Sequence, residues 1–256
     1  MTLEACTEAL RQHDPDRFGA VLVARPQDRP ALLTLYALNL EIARAPFQSN
    51  EPMLAEMRLQ WWVDRLTEMG QGKAPPLHDV LTPLWEAWGQ DAGALEPLAE
   101  ARRRDCAREP FADVAEAVAY VDATAGQLMW QAARRCGAAE GHREIVMAQA
   151  RGAGLAAWLR ALPQLQGMRL GLAQPSPEAA RELAEIGRDG LRLAARLHRK
   201  VPKTAAAALY PGPRVPRLFS EIIAGRIDPF TEVPQLSAFQ RRGSLARLAL
   251  TGRWWR

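Results

Sequence analysis

Residues 29–62 read RPALLTLYALNLEIARAPFQSNEPMLAEMRLQWW. From Arg29 to Arg44, Leu32, Leu35, Tyr36, Asn39, Ile42 and Ala43 recur at three- and four-residue steps, which puts them on one stripe of a helix. Ala45-Pro46 stops that helix, because the residue before proline is pushed out of helical space. Ser49-Asn50-Glu51-Pro52 opens a second helix that the spacing carries to Met69, where Gly70-Gln71-Gly72 ends it. Leu54, Met57, Arg58, Trp61 and Trp62 fall on or beside its inner face. Adjacent tryptophans stand about 100° apart on a helix, so one serves the core and the other a seam between helices.

The same period runs through the rest of the chain. It predicts helices over Leu3–His13, Asp16–Ala24, Pro75–Trp88, Ala94–Arg108, Asp113–Cys136, Glu140–Leu162, Pro177–Arg199 and Arg217–Ala224. Asp14-Pro15 and Ser176-Pro177 have the cap-then-proline form of helix starts. The segment Val201–Pro216 is broken by prolines. No stretch alternates apolar and polar residues as a strand does, and there is no repeat or long linker. The expectation is an all-α, single-domain helical bundle over residues 1–235, followed by a basic amphipathic tail over 236–256.

Composition fixes the broad class. The chain has 256 residues, 48% of them hydrophobic and 24% charged, which excludes intrinsic disorder. Three scattered cysteines, Cys6, Cys106 and Cys136, exclude a disulfide scaffold and suit a cytoplasmic location. No uncharged apolar run is long enough for a transmembrane helix, and the acidic N-terminus, with Glu4 and Glu8, is unlike a signal peptide. Basic residues number 33 against 29 acidic, a net charge of +4. Only Lys73, Lys200 and Lys203 are lysines, which reads as GC-rich coding bias. Arg241, Arg242, Arg247, Arg253 and Arg256 follow the last acidic residue, Glu232, and without them the body is nearly neutral. Nucleic acid is therefore not an expected partner.

The residues that carry chemistry are sparse. His13, His78, His142 and His198 are isolated, and none pairs with another histidine at ligand spacing. Gly152-Ala153-Gly154 is only a fragment of a dinucleotide signal and lacks a preceding strand. The carboxylate pairs Asp64 and Glu68, Asp113 and Glu116, and Glu178 and Glu182 sit among polar residues or at helix starts, so they read as solvated. Arg102-Arg103-Arg104 points three ways and reads as a solvated face.

The LYALN and MRLQWW helices together, with YVDATAGQLMW at 120–130 and ARGAGLAAWLRAL at 150–162, resemble the squalene/phytoene synthase family. The likeness is closest to the branch of the mitochondrial complex I assembly factor and its bacterial relatives. It implies a bundle of the isoprenoid (trans-prenyl) synthase type. It also implies two facing helices whose acids hold Mg²⁺ against a prenyl diphosphate. Here those acids fall on Ala43 and Phe47 of one helix and on Ala161 and Leu165 of the other, with Arg160 kept. Pro46 and Pro163 are expected to interrupt the helices beside them.

Alanine, leucine and phenylalanine cannot ligate Mg²⁺, so no metal, cofactor or catalytic residue is expected. Trp158 is positioned to fill part of the old cavity. The cavity candidates under the resemblance are Tyr36, Asn39, Ala43, Phe47, Arg58 and Trp61 on the first two helices. On the later ones they are Gln127, Trp158, Arg160 and Ala161. The leading expectation is a non-catalytic family member that binds an apolar or prenyl ligand, or a partner during respiratory complex I assembly. The alternative is an active, Mg²⁺-dependent prenyl transferase. The arginine-rich, Trp-ended tail adds a peripheral contact with the inner membrane face as a further expectation.

Overall fold

The computed structural model describes residues 3–231, 233–234 and 236–255. Gln235, the expected boundary of the tail, and the terminal Arg256 lie outside the described residues. The chain opens with helices α1 (Leu3–His13), α2 (Pro15–Val23), α3 (Arg29–Arg44) and α4 (Pro52–Gly70). Shorter elements follow: α5 (Leu81–Trp88), α6 (Glu96–Glu100) and α7 (Arg103–Ala107). Helices α8 (Val114–Val121) and α9 (Gln127–Arg135) are joined by a single π-turn, Asp122–Gly126. Then come α10 (Arg143–Gly167), α11 (Pro177–Leu197), α12 (Val215–Ile223) and α13 (Ala238–Thr251). Among the described residues the one extended pairing is an isolated bridge between Phe111 and Leu172. No described helix is long and apolar enough to cross a membrane.

The caps explain most boundaries. Asp14 Oδ1 accepts from Arg17 N at the start of α2, and Ser176 Oγ accepts from Ala179 N at the start of α11. The helix expected from Pro75 begins only at Leu81, because His78 Nδ1 accepts from Val80 N at 3.1 Å and starts the turn there. The single helix expected over Ala94–Arg108 is instead two short pieces, and α7 ends on Arg108 at φ 51°.

One expectation fails outright. Pro163 does not interrupt its helix; α10 runs through it to Gly167. Proline removes one backbone hydrogen bond, but tertiary packing outweighs that local loss. Leu159 and Leu162, in the turn before the proline, are fully buried, and Gln166 Nε2 ties the following turn to Leu172 O at 3.2 Å.

Buried side chains form two clusters. One gathers α1, α3, α4, α5 and α9 around Leu32, Leu35, Leu59 and Leu66. The other gathers α8, α10, α11 and α12 around Leu155, Leu159, Leu183 and Phe219. Helices α10 and α11 lie so close that a Cβ on Gly190 would come within 2.6 Å of Ala148 O. Glycine is the residue that permits this approach. Of the tryptophan pair, Trp62 is buried and Trp61 is partly exposed, with their rings edge-on at 4.9 Å.

All three cysteines are free and buried. Burial pushes the thiol of Cys6 to about 11, that of Cys106 to about 11 and that of Cys136 to about 12. Raised values mean the reactive thiolate appears only well above neutral pH. An Ellman titration at pH 8 should therefore find no reactive thiol in the native protein and three after denaturation.

Candidate functional site

A cavity of about 430 Å³ lies between the two clusters. One wall is α10, where Ala150, Ala153, Gly154, Ala157 and Ala161 follow helical steps and carry almost no side-chain volume. Tyr36 and Asn39 of α3 line the cavity, as do Thr124 and Ala125 of the π-turn and Leu128 and Met129 of α9. Phe111 and Trp158 also line it, with ring centroids 5.9 Å apart. Trp158 therefore forms part of a wall around open space.

Arg102, Tyr120 and Asp105 form one polar group at this site. Arg102 Nη1 donates to Tyr120 Oη at 2.6 Å, and Tyr120 Oη donates to Asp105 Oδ2 at 2.8 Å. Arg102 Nη1 also lies 3.5 Å from the same carboxylate oxygen. Asp105 is only 4% exposed. Burial raises its carboxyl above the ordinary range, while Arg102 and the Tyr120 hydrogen bond pull it back. Burial also raises the Tyr120 phenol. The arginine charge is thus held beside its own counter-ion.

The second polar group is on α2 and the segment around residue 210. Asp14 Oδ2 holds Arg17 Nη1 at 2.7 Å, and the Arg17 guanidinium lies 5.5 Å from the Tyr36 ring centroid. Asp16 Oδ1 faces Arg241 Nε of α13 at 3.9 Å. Both of these atoms are buried and have no hydrogen-bond partner. Burial raises the Asp16 carboxyl, an effect that Arg241 opposes. Arg160 Nη2 donates to Pro213 O at 2.8 Å, and burial lowers the pKa of this guanidinium. Tyr210 Oη donates to Ser244 Oγ of α13 at 2.9 Å.

The sequence candidates divide between the cavity and the outside. Tyr36, Asn39, Trp158, Arg160 and Ala161 line the cavity, and so does Leu165. Ala43, Phe47, Arg58, Trp61 and Gln127 are not among its lining residues. Phe47 closes the 3₁₀ turn Ala45–Phe47 and is 38% exposed. Arg58 is exposed and donates to Gln48 Oε1 at 3.2 Å, while Trp61 lies 5.4 Å from the His78 ring.

Sequence reasoning missed Asp14, Asp16, Arg17, Arg102, Tyr120 and Tyr210 as cavity residues. Arg102 is the clearest correction. It is not part of a solvated face, because its guanidinium turns inward to Tyr120 and Asp105. Arg103 and Arg104 are also paired, with Glu100 and Glu116. The local signal at Asp14-Pro15-Asp16-Arg17 was a helix start, and nothing in it gave the direction of the side chains.

The residues present do not fit a Mg²⁺-diphosphate centre. The positions implied on α10, Ala161 and Leu165, contribute alkyl groups to the cavity wall. The two acids that line the cavity, Asp14 and Asp16, each face an arginine. No group of three or more His, Cys, Asp or Glu side chains able to hold a metal ion occurs among the described residues.

This geometry, an all-α bundle enclosing an apolar cavity, is that of a trans-prenyl synthase fold. Residues 10–171 match the squalene/phytoene synthase family, well over half of the chain, and the protein belongs to that family. No curated protein matches it. Among solved structures it is similar to a dehydrosqualene synthase in complex with ligand. The TM-score is 0.78 and the identity 10%, covering 96% of this chain and 94% of that one. Squalene synthase HpnC from Alicyclobacillus acidocaldarius gives a TM-score of 0.66 at 14% identity, covering 98% and 94%. YisP from Bacillus subtilis subsp. subtilis strain 168 gives 0.65 at 12%, covering 95% and 94%. At these identities the likeness establishes the fold.

The Arg102 group offers a direct stability test. Replacing Asp105 with alanine leaves a mostly buried guanidinium without its counter-ion and should cost about 3 kcal/mol. Tyr120→Phe removes one hydroxyl and should cost about 1 kcal/mol. Urea unfolding of the two variants checks both the order and the size.

Proposed function

We propose that the protein is a non-catalytic member of its family that holds an apolar, prenyl-like chain in the central cavity. One observation carries this reading: the cavity is open and mainly apolar, yet Ala161 and Leu165 line it where the resemblance implies metal-binding carboxylates. Condensing prenyl diphosphates requires the leaving diphosphate to be neutralised, and Mg²⁺ bridging carboxylate and phosphate oxygens supplies that charge. A chain binder has no such need. Burying about ten methylene carbons gains roughly 8 kcal/mol before the costs of ordering the ligand. Tyr36 and Trp158 supply aromatic walls, and Arg17 and Arg102 are each paired with a carboxylate.

A second reading, a role in assembling a respiratory complex such as complex I, has its own supporting observation. Met53, Leu54, Met57 and Trp61 run along one exposed side of α4, with Met53 at 72% and Met57 at 61% exposure. Such a run of large apolar side chains suits a protein partner, and methionine adapts readily to a second surface. The two readings are compatible, since the stripe and the cavity do not share residues.

Binding of a fluorescent farnesyl analogue should be unchanged by Mg²⁺ or by a chelator. Incubation with farnesyl diphosphate and Mg²⁺ should release no diphosphate. Ala157→Leu adds bulk to the cavity wall and should weaken the analogue tenfold or more, with the helical circular dichroism retained. Mg²⁺-dependent release of diphosphate would instead establish an active prenyl transferase.

A further inference from the structure

Helix α13 presents two faces of different chemistry. Its inner face belongs to the body of the protein. Leu245 packs against Gly19 of α2, Leu248 is buried, and Arg241 and Ser244 meet Asp16 and Tyr210. Trp254 is 2% exposed, and Trp255 stacks on His198 at 3.9 Å. Leu245, Leu248, Trp254 and Trp255 of the tail therefore face the protein.

The outer face carries a different set. Phe239 and Leu250 are each 86% exposed, more than any other large apolar side chain described. They stand eleven residues apart, which at about 100° per residue puts them within roughly 20° of each other around the helix. Ala246 lies between them and is exposed, as are Arg242 on the same helix and Arg253 just beyond its end. Neither arginine side chain has an ion pair among the described residues, and no acidic residue follows Glu232 in the sequence.

We propose that this outer face of α13 docks on an anionic lipid bilayer, with Phe239 and Leu250 inserted and Arg242 and Arg253 at the headgroups. Charge decides between occupants. An exposed apolar pair with arginines and no carboxylate suits a diffuse anionic surface. On α4, by contrast, the exposed apolar stripe is interleaved with exposed Glu56 and Asp64. Two side chains also expose far less area than the ~800 Å² per partner of a stable protein interface, which disfavours a second copy of this chain. The inner face reaches Asp16 and Tyr210, both of which line the cavity. A bilayer seated on α13 therefore lies on the side of the protein where α13 meets the cavity lining. This inference does not depend on what the cavity binds.

Flotation of the full chain with phosphatidylcholine vesicles, with and without phosphatidylglycerol, tests it. The wild type should bind only the anionic vesicles and should be released by high salt. The double variant R242Q/R253Q should lose about thirtyfold in partitioning, about fivefold per charge. The double variant F239E/L250E should not bind. All four positions are exposed, so both variants should keep the wild-type melting temperature. Indifference of the wild type to phosphatidylglycerol would overturn the proposal, as would variants that bind like the wild type. Concentration-dependent dimers that F239E/L250E abolishes, without vesicle binding, would assign the face to a second copy and overturn it as well.

Discussion

The structure depends on what α10 withholds. Protein interiors close around missing volume unless something prevents it. Here Ala150, Ala153, Gly154, Ala157 and Ala161 leave a stripe of α10 nearly bare, yet a cavity of about 430 Å³ persists beside it. The helix cannot move inward to fill that space, because α11 grips it from behind at Gly152 and Gly190. Leucine or phenylalanine at two of those alanines would turn the same bundle into a filled core.

Charge around the cavity follows a consistent logic. Arg17 has Asp14, Arg102 has Asp105 and Arg241 faces Asp16. A site built to draw in a diphosphate would leave cations unbalanced, or add metal ions to balance them. Here Arg17, Arg102 and Arg241 each stand beside a carboxylate, while Arg160, which lines the cavity, donates to the Pro213 carbonyl. The family's scaffold is kept, and alkyl groups stand at Ala161 and Leu165, where the resemblance implies acids.

Much of the bundle was legible in the sequence. The bounds of α1 and α3 fall where the helical period and the breakers put them, because caps and prolines act locally. Pro163 was misread for the complementary reason: a proline's local cost was outweighed by Leu159 and Leu162 buried in the turn before it. Of the ten cavity candidates that the resemblance implied, Tyr36 and Asn39 on α3 and Trp158, Arg160 and Ala161 on α10 line the cavity, each set at helical spacing. That spacing stopped being a guide at Phe47, where the chain leaves the helix for a 3₁₀ turn. The partnership of Arg102 with Tyr120 was invisible, because it joins residues eighteen apart through the directions of two side chains. The division of α13 into an inner and an outer face likewise depended on where α2 lies, and no local pattern encodes that.

The π-turn at Asp122–Gly126 has a consequence for how this rod tolerates length changes. It holds one residue more than an α-helical turn would, and it lies where Arg151 Nε grips Asp122 Oδ1 at 3.0 Å and Thr124 Oγ1 donates to Tyr120 O at 2.7 Å. Helices α8 and α9 each keep their own buried face on either side of that surplus residue. Removing one residue from the α-helical part of the rod rotates everything after it by about 100° and turns a buried face toward water. Removing Ala123 relaxes the bulge into ordinary α geometry and leaves both faces in phase. The segment is thus the one place in this rod where the reading of inside and outside survives a single-codon deletion.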